Sequence, residues 1–95
     1  TIFSRHIVCP PDSDEQTFLH WAAGELSKLG IEMRKALCGK TTTLLTPDGE
    51  LHTRSLMLSG LAPPESVTLQ QAGLGPNRAM GCGIFTPHKG IHAVG

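Results

Sequence analysis

Four glycines surround a single arginine near the end of this 95-residue chain. Residues 73–83 read Gly-Leu-Gly-Pro-Asn-Arg-Ala-Met-Gly-Cys-Gly, so that five residues separate two G-x-G pairs. Glycine adopts positive φ angles easily and lets another backbone approach closely, while consecutive exposed amides in such a loop bind anions. Arg78, inside the loop, carries the planar fork that matches a phosphate. The segment is therefore either a tight structural connection or a loop that contacts a nucleic-acid backbone.

A dinucleotide-binding fingerprint is excluded for this segment. The pattern G-x-G-x-x-G would require glycine at position 78, which is Arg78. The fingerprint also lies between a strand and a following helix. This loop follows a predicted helix and precedes a predicted strand, which is the reverse order.

Cysteine and histidine chemistry has little support in the sequence. Cys9, Cys38 and Cys82 are scattered, odd in number and form no C-x-x-C pair, so we expect free thiols, no zinc site and no cofactor. His88, after the last predicted strand, is a weak candidate for proton transfer. The other histidines are expected at surface positions or hydrogen-bonded in the core; they are His6, His20, His52 and His92.

The charge distribution permits a modest basic face. The formal net charge is zero and charged residues make up only 17% of the chain, which suits a domain partly covered by another domain or subunit. Two stretches without acids, residues 33–46 and 66–95, contain the basic side chains that would form such a face: Arg34, Lys35, Lys40, Arg78 and Lys89. Charge alone leaves a nucleic-acid surface and a chance distribution equally open.

Targeting signals and membrane segments are not expected. No stretch approaches the roughly 20 apolar residues of a membrane span. The opening residues 1–5 do not combine a basic region with an apolar one, so they do not resemble a signal peptide. We therefore expect a cytoplasmic location without membrane contact.

The first half of the chain predicts a strand, a helix and a bent strand. The apolar run 2–9 predicts a buried strand that ends before Pro10. Apolar side chains at helical spacing predict a helix over 14–29, with Ser13 and Gln16 as its capping box. Residues 31–46 are rich in threonine and predict a strand bent at Gly39.

The second half predicts a hairpin partner, a second helix and a last strand. Pro47-Asp48-Gly49-Glu50 is a turn signal, after which residues 51–58 return as a strand. Residues 63–72 open with two prolines and predict a shorter helix. Residues 83–86 predict the last strand, which ends at Pro87.

The order β-α-β-β-α-β indicates an α+β, ferredoxin-like domain over residues 1–95. This fold has a four-stranded antiparallel sheet with two helices on one face. Acylphosphatases share the order but need a phosphate cradle directly after the first strand, and Cys9-Pro10-Pro11-Asp12 excludes it. The aromatic residues lie at apolar positions without an RNP-like string, so we expect them in the core.

The second half of the chain resembles a known family. Its glycine spacing is similar to the C-terminal glycine-rich loop of the RAMP superfamily of CRISPR-associated RNA-binding proteins. Three flanking segments, Arg54-Ser-Leu-Met-Leu, Glu65-Ser-Val-Thr-Leu-Gln-Gln and Ile84-Phe-Thr-Pro-His-Lys-Gly-Ile, resemble the repeat-RNA processing endoribonuclease of the myxobacterial-type subtype. The match is strong over about the last 40 residues and rests on fold order alone over residues 1–50.

The resemblance implies an RNA-processing activity. Such enzymes have two ferredoxin-like domains and cut the repeat without metal, when a 2′-hydroxyl attacks the adjacent phosphate and leaves a 2′,3′-cyclic phosphate. Their usual general base is a histidine of the N-terminal domain, which leaves the catalytic residue of this chain unassigned. The chain is long enough for one domain, and we expect it to be the C-terminal half. The implied partners are CRISPR repeat RNA, an N-terminal domain or partner chain, and other CRISPR effector subunits.

The resemblance also implies a set of RNA-binding residues. The loop glycines Gly73, Gly75, Gly81 and Gly83 would shape the loop. The side chains expected to contact RNA are Asn77, Arg78, Lys89 and Arg54. The alternative is a small regulatory or oligomerisation module that binds no nucleic acid.

Overall fold

The structure, a computed structural model, describes residues 1–76, 79 and 81–87. Within them, two helices and five strands follow one another: β1 (Ile2–Val8), α1 (Glu15–Lys28), β2 (Lys35–Cys38), β3 (Thr42–Thr46), β4 (Gly49–Ser59), α2 (Pro63–Ala72) and β5 (Thr86–Pro87). The predicted α+β class is confirmed. The predicted count of four strands is not, because the second predicted strand is divided into β2 and β3.

The strands form one antiparallel sheet in the order β2, β4, β1, β5, with β3 also paired to β4. The long strand β4 has two partners along one edge: β3 pairs with residues 49–53 and β2 with residues 56–59. The break falls at Gly39, where the sequence predicted a bend. The Gly39 amide donates to the Ser55 carbonyl over 3.1 Å, and a Cβ at position 39 would overlap the Ser55 hydroxyl. A larger residue at position 39 would require the Ser55 hydroxyl to move.

Helix α1 is capped one residue later than predicted. The N-cap is Asp14, whose carboxylate accepts a hydrogen bond from the Thr17 amide over 2.7 Å. This bond holds the pKa of Asp14 below its usual value. Ser13, the predicted cap, instead donates its hydroxyl to the Pro10 carbonyl. A carboxylate at the N-cap also complements the helix dipole, which explains why Asp14 occupies the position.

One apolar core joins both helices to the sheet. The predicted stripe of α1 buries Phe18, Ala22 and Leu26, and α2 contributes Leu69. The strands and connections complete the cluster with Ile2, Ile7, Cys9, Ile31, Leu56, Leu58, Leu74 and Phe85. Leu74 lies within the first glycine pair and Phe85 follows the second, so buried side chains attach the glycine-rich segment to the core near both of its ends.

Helix α2 starts at Pro63, as predicted, and its first turn is tied to the approach to β2. Glu65 accepts hydrogen bonds from the Ala62 amide (2.9 Å) and from the Arg34 guanidinium (2.8 Å). Arg34 also donates to the Gly60 carbonyl. The hydrogen bond from Arg34 is the main reason that the pKa of Glu65 lies below its usual value.

The last strand starts later than predicted. Within the described residues, β5 consists of Thr86 and Pro87, which pair with Phe3 and Ile2 of β1. Gly83 has φ +71°, a left-handed conformation that does not continue a strand. None of the helices in the described part of the chain is long and apolar enough to cross a lipid bilayer.

Candidate functional site

The four loop glycines all adopt the left-handed backbone conformation. Their φ angles are +73° at Gly73, +79° at Gly75, +89° at Gly81 and +71° at Gly83. Residues with a Cβ rarely adopt such angles. The two G-x-G pairs therefore supply four sharp turns, two at each end of the segment.

The two glycine pairs meet at the base of the loop. The Leu74 amide donates to the Gly83 carbonyl over 2.9 Å. The approach is so close that a Cβ on residue 83 would overlap the Leu74 carbonyl oxygen. This hydrogen bond therefore joins the first glycine pair to the second. Leu74 and Cys82 are both buried, and burial raises the pKa of the Cys82 thiol.

Strand β1 and helix α1 support this base. The Gly83 amide donates to the His6 carbonyl over 2.6 Å. At Gly75, a Cβ would stand 3.4 Å from the Trp21 ring and 3.7 Å from the Ile7 side chain. The loop therefore leaves the body of the domain at the junction of β1 with α1.

Trp21 was expected in the core, and this expectation is wrong. Its side chain is 36% exposed and lies beside the loop, with its ring centroid 5.9 Å from that of Phe18. The spacing Trp21, Glu25, Lys28 places these three residues on one face of α1. They line a hollow of about 440 Å³ against residues 72–76. The charged residues at this spacing were the sequence signal that Trp21 belongs to a partly polar face.

Five of the residues singled out from the sequence lie outside the described part of the chain. They are Asn77, Arg78, His88, Lys89 and His92. The RNA contacts expected of Asn77, Arg78 and Lys89 remain predictions. The structure describes the four glycines that flank positions 77 and 78 in the sequence.

Arg54 is buried, and its described hydrogen bonds are not with the glycine-rich loop. Its residue is 8% exposed, and its guanidinium donates to the Gly39 carbonyl (2.8 Å) and the Ser13 carbonyl (2.9 Å). The Nε atom is buried without a described partner. Arg54 thus joins the break between β2 and β3 to the start of α1. The predicted RNA contact of Arg54 remains a prediction, beside this structural role.

Two sheet histidines have hydroxyl partners that the sequence did not indicate. His6 Nδ1 lies 3.0 Å from Thr53 Oγ1, and His52 Nδ1 lies 3.3 Å from Thr43 Oγ1. His6 is half-buried, whereas His20 on α1 is exposed. Among the histidines that the structure describes, His6 is the one joined to the loop base, through its carbonyl.

The remaining basic and sulfur groups do not assemble into a site. Lys35 and Lys40 are exposed, and Arg34 is paired with Glu65. All three cysteines are free thiols. Within residues 1–76, 79 and 81–87, no three histidine, cysteine or acidic side chains are grouped as a metal site would require.

Comparison with known proteins decides the family. The Cas6 CRISPR family model matches residues 1–90. The chain belongs to the Cas6 family. This confirms the resemblance that the glycine spacing and its flanking segments indicated.

A curated Cas6 relative has a similar sequence. The chain is 29% identical over 87 residues to the CRISPR-associated endonuclease Cas6 of Myxococcus xanthus (strain DK1622). The match covers 92% of this chain and 37% of the relative. The chain therefore spans a little over a third of the length of the Cas6 protein it matches.

Proposed function

We propose that this chain binds CRISPR repeat RNA as part of a Cas6-type endoribonuclease. The observation that carries the proposal is the closed glycine-rich loop, whose two ends are joined by the Leu74–Gly83 hydrogen bond. Arg78 lies between the two glycine pairs in the sequence, and a guanidinium is suited to phosphate recognition.

The proposed fold is ferredoxin-like. In this interpretation β2 and β3 are one strand, interrupted at Gly39, because both pair with the same edge of β4. The sheet then has four antiparallel strands, with the last strand beside β1 and the two central strands being β1 and β4. Interrupting an edge strand leaves the core pairing of β1 with β4 unaffected.

The proposed position of the chain is the C-terminal half of a two-domain enzyme. The 37% coverage of the Myxococcus relative supports this, because it leaves room for a second domain of similar or greater size. The cleavage step would be the one that the family resemblance implies. A ribose 2′-hydroxyl attacks the adjacent phosphate, the 5′-oxygen leaves with a proton, and a 2′,3′-cyclic phosphate remains. No metal takes part in this scheme. The general base would be a histidine of the other domain.

In this proposal, the residues that determine the shape of the loop differ from those that contact the RNA. The four glycines set the loop, while Asn77, Arg78 and Lys89 contact the RNA. Recognition would be by backbone and shape, since the sheet lacks the aromatic string of single-strand readers. We assign Arg54 mainly to positioning, because two of its donors already bind backbone carbonyls.

The test is incubation of the chain with labelled CRISPR repeat RNA in EDTA, with DNA of the same sequence as control. Binding and cleavage are scored separately. Binding to RNA without cleavage is the expected result for an RNA-positioning half. Cleavage to a cyclic-phosphate product would place the active site within these residues. An absence of binding even at low salt would refute the proposal and favour a regulatory or oligomerisation module.

A further inference from the structure

His6 lies at a break in the register of the sheet. Ser4 pairs with Leu56 and Ile7 pairs with Arg54, so that Arg5 and His6 together face the single residue 55 of β4. Such a β-bulge bends the strand and redirects a side chain, and bulges are frequent beside functional sites. Here the bulge is also where the glycine-rich loop is attached, because the His6 carbonyl accepts the Gly83 amide.

The hydrogen bonds of Thr53 fix which imidazole nitrogen of His6 carries a proton. Thr53 Oγ1 lies 3.0 Å from His6 Nδ1 and donates to the Thr42 carbonyl over 3.3 Å. A hydroxyl has one proton to donate. Both bonds therefore form together only when Nδ1 carries a hydrogen and donates it to Thr53. Neutral His6 then presents Nε2 as an acceptor.

This imidazole lies on the face of the sheet opposite α1. Thr53 and Arg54 are neighbours in β4, so their side chains project from opposite faces. Arg54 reaches the Ser13 carbonyl at the start of α1, which puts its side chain on the helix-covered face. Thr53 and its partner His6 are therefore on the other face. Nε2 has no hydrogen-bond partner among the described residues, and His6 is half-buried.

We propose that His6 Nε2 accepts a hydrogen bond from a ribose 2′-hydroxyl of the bound RNA. This inference rests on the proposed RNA-binding function and adds a contact to it. Neutral Nε2 accepts hydrogen bonds, and phosphate oxygens also only accept, so the phosphates cannot be its partner. The 2′-hydroxyl is the one donor of the RNA sugar-phosphate backbone, and DNA lacks it. Thr53 is the positioning residue, since it orients the ring and fixes its tautomer.

The experiment measures the affinity of the whole chain for labelled repeat RNA at fixed salt and pH. The RNA panel comprises the unmodified repeat and versions with one 2′-deoxy substitution at each position in turn. The protein panel comprises the wild type, His6→Ala, Thr53→Val and the matched control His52→Ala. His52 also contacts a threonine hydroxyl but has no described contact with the loop.

The expected results depend on a single hydrogen bond, between His6 Nε2 and one ribose 2′-hydroxyl. His6→Ala weakens binding about tenfold, the effect of one well-placed hydrogen bond, and His52→Ala leaves the affinity unchanged. One 2′-deoxy position weakens wild-type binding by the same factor and has no further effect in His6→Ala. Thr53→Val, which preserves side-chain shape, weakens binding by a smaller factor at that same position.

Several results would overturn the inference. One is a deoxy scan without a sensitive position in the wild type; another is a sensitive position that remains equally sensitive in His6→Ala. Circular dichroism checks that each variant is folded. If His6→Ala does not fold, the scan on the wild type and on Thr53→Val still decides, because an equal response of the two at every position contradicts the role of Thr53. Failure of the wild type to bind unmodified RNA would instead refute the proposed function itself.

Discussion

The Leu74 amide donates to the Gly83 carbonyl, and this bond brings the first and second glycine pairs of the loop together. The contact depends on glycine at position 83, since a Cβ there would overlap the Leu74 carbonyl oxygen. Gly81 has the same left-handed conformation, but no atom of the described residues lies within 4 Å of its Cβ position. Alanine at position 81 therefore tests backbone strain alone, whereas alanine at position 83 tests backbone strain together with steric overlap.

Alanine at these two glycines is predicted to have unequal effects. Gly81→Ala should lower the free energy of unfolding by about 1 kcal/mol, from the left-handed φ alone. Gly83→Ala should lower it by on the order of 3 kcal/mol, because the backbone must also move. Urea unfolding of the two variants and the wild type measures both values. Equal losses would mean that the close approach at position 83 does not exist.

Arg54→Lys is predicted to lower stability more than RNA affinity. A lysine ammonium cannot bridge the Gly39 and Ser13 carbonyls with the geometry of a guanidinium fork. Loss of one charged hydrogen bond is worth about 2 kcal/mol. Thermal unfolding and RNA titration below the melting temperature measure the two quantities, with Arg5→Lys at an exposed position as the control. A stable variant with weakened RNA binding would establish Arg54 as an RNA contact.

Glu65→Gln is predicted to reduce stability at neutral pH and much less in acid. The pKa of Glu65 is lowered from 4.5, mainly by the hydrogen bond from Arg34. Its ionised form therefore stabilises the folded chain above that pH, and the contribution disappears as the pH falls through the lowered pKa. Denaturant unfolding across this pH range compares the variant with the wild type. Glu50→Gln, at an exposed position on β4, is the control for removing a surface carboxylate. A Glu65→Gln deficit that is the same at both ends of the range would contradict the role of the ion pair.

Trp21 is predicted to report RNA binding by its fluorescence. It is the only tryptophan of the chain, and its ring lies beside Gly75 at the loop base. Because it is partly exposed, a change in its surroundings should shift its emission. Titration with repeat RNA should therefore give a saturable change whose midpoint equals the directly measured Kd. Full binding without any change in emission would mean that the RNA binds away from Trp21 and the loop base.

Elements defined by local signals were predictable from the sequence. The apolar stripe of α1, the paired prolines of α2 and the turn at Pro47 and Asp48 each depend on neighbouring residues. The break at Gly39 was also indicated, because glycine in a strand pattern permits close backbone approach. These features fixed the order of helices and strands, although not the division of one predicted strand into two.

Features that depend on distant partners were not predictable. His6 and Thr53 are 47 residues apart, and Arg54 and Ser13 are 41 apart, so neither pairing leaves a local signal. Ser13 was predicted as the cap by residue type, but its hydroxyl donates to the Pro10 carbonyl, whereas the Asp14 carboxylate accepts from the Thr17 amide. Trp21 followed the apolar pattern but lies at the edge of the buried stripe.

We propose that RNA is contacted by Arg78 of the glycine-rich loop and by Lys89, which follows β5 in the sequence. The most direct test is the salt dependence of repeat-RNA affinity for Arg78→Ala/Lys89→Ala, compared with Lys35→Ala/Lys40→Ala, which removes the same charge from exposed positions around β2. Each lost phosphate contact should reduce the slope of log K against log salt by about 0.7. We predict a slope reduced by about 1.4 and weakened binding for the first pair, with little change for the second. An unchanged slope for the Arg78 and Lys89 variant, or an equal change for both variants, would contradict the assignment of the loop as the RNA-binding element.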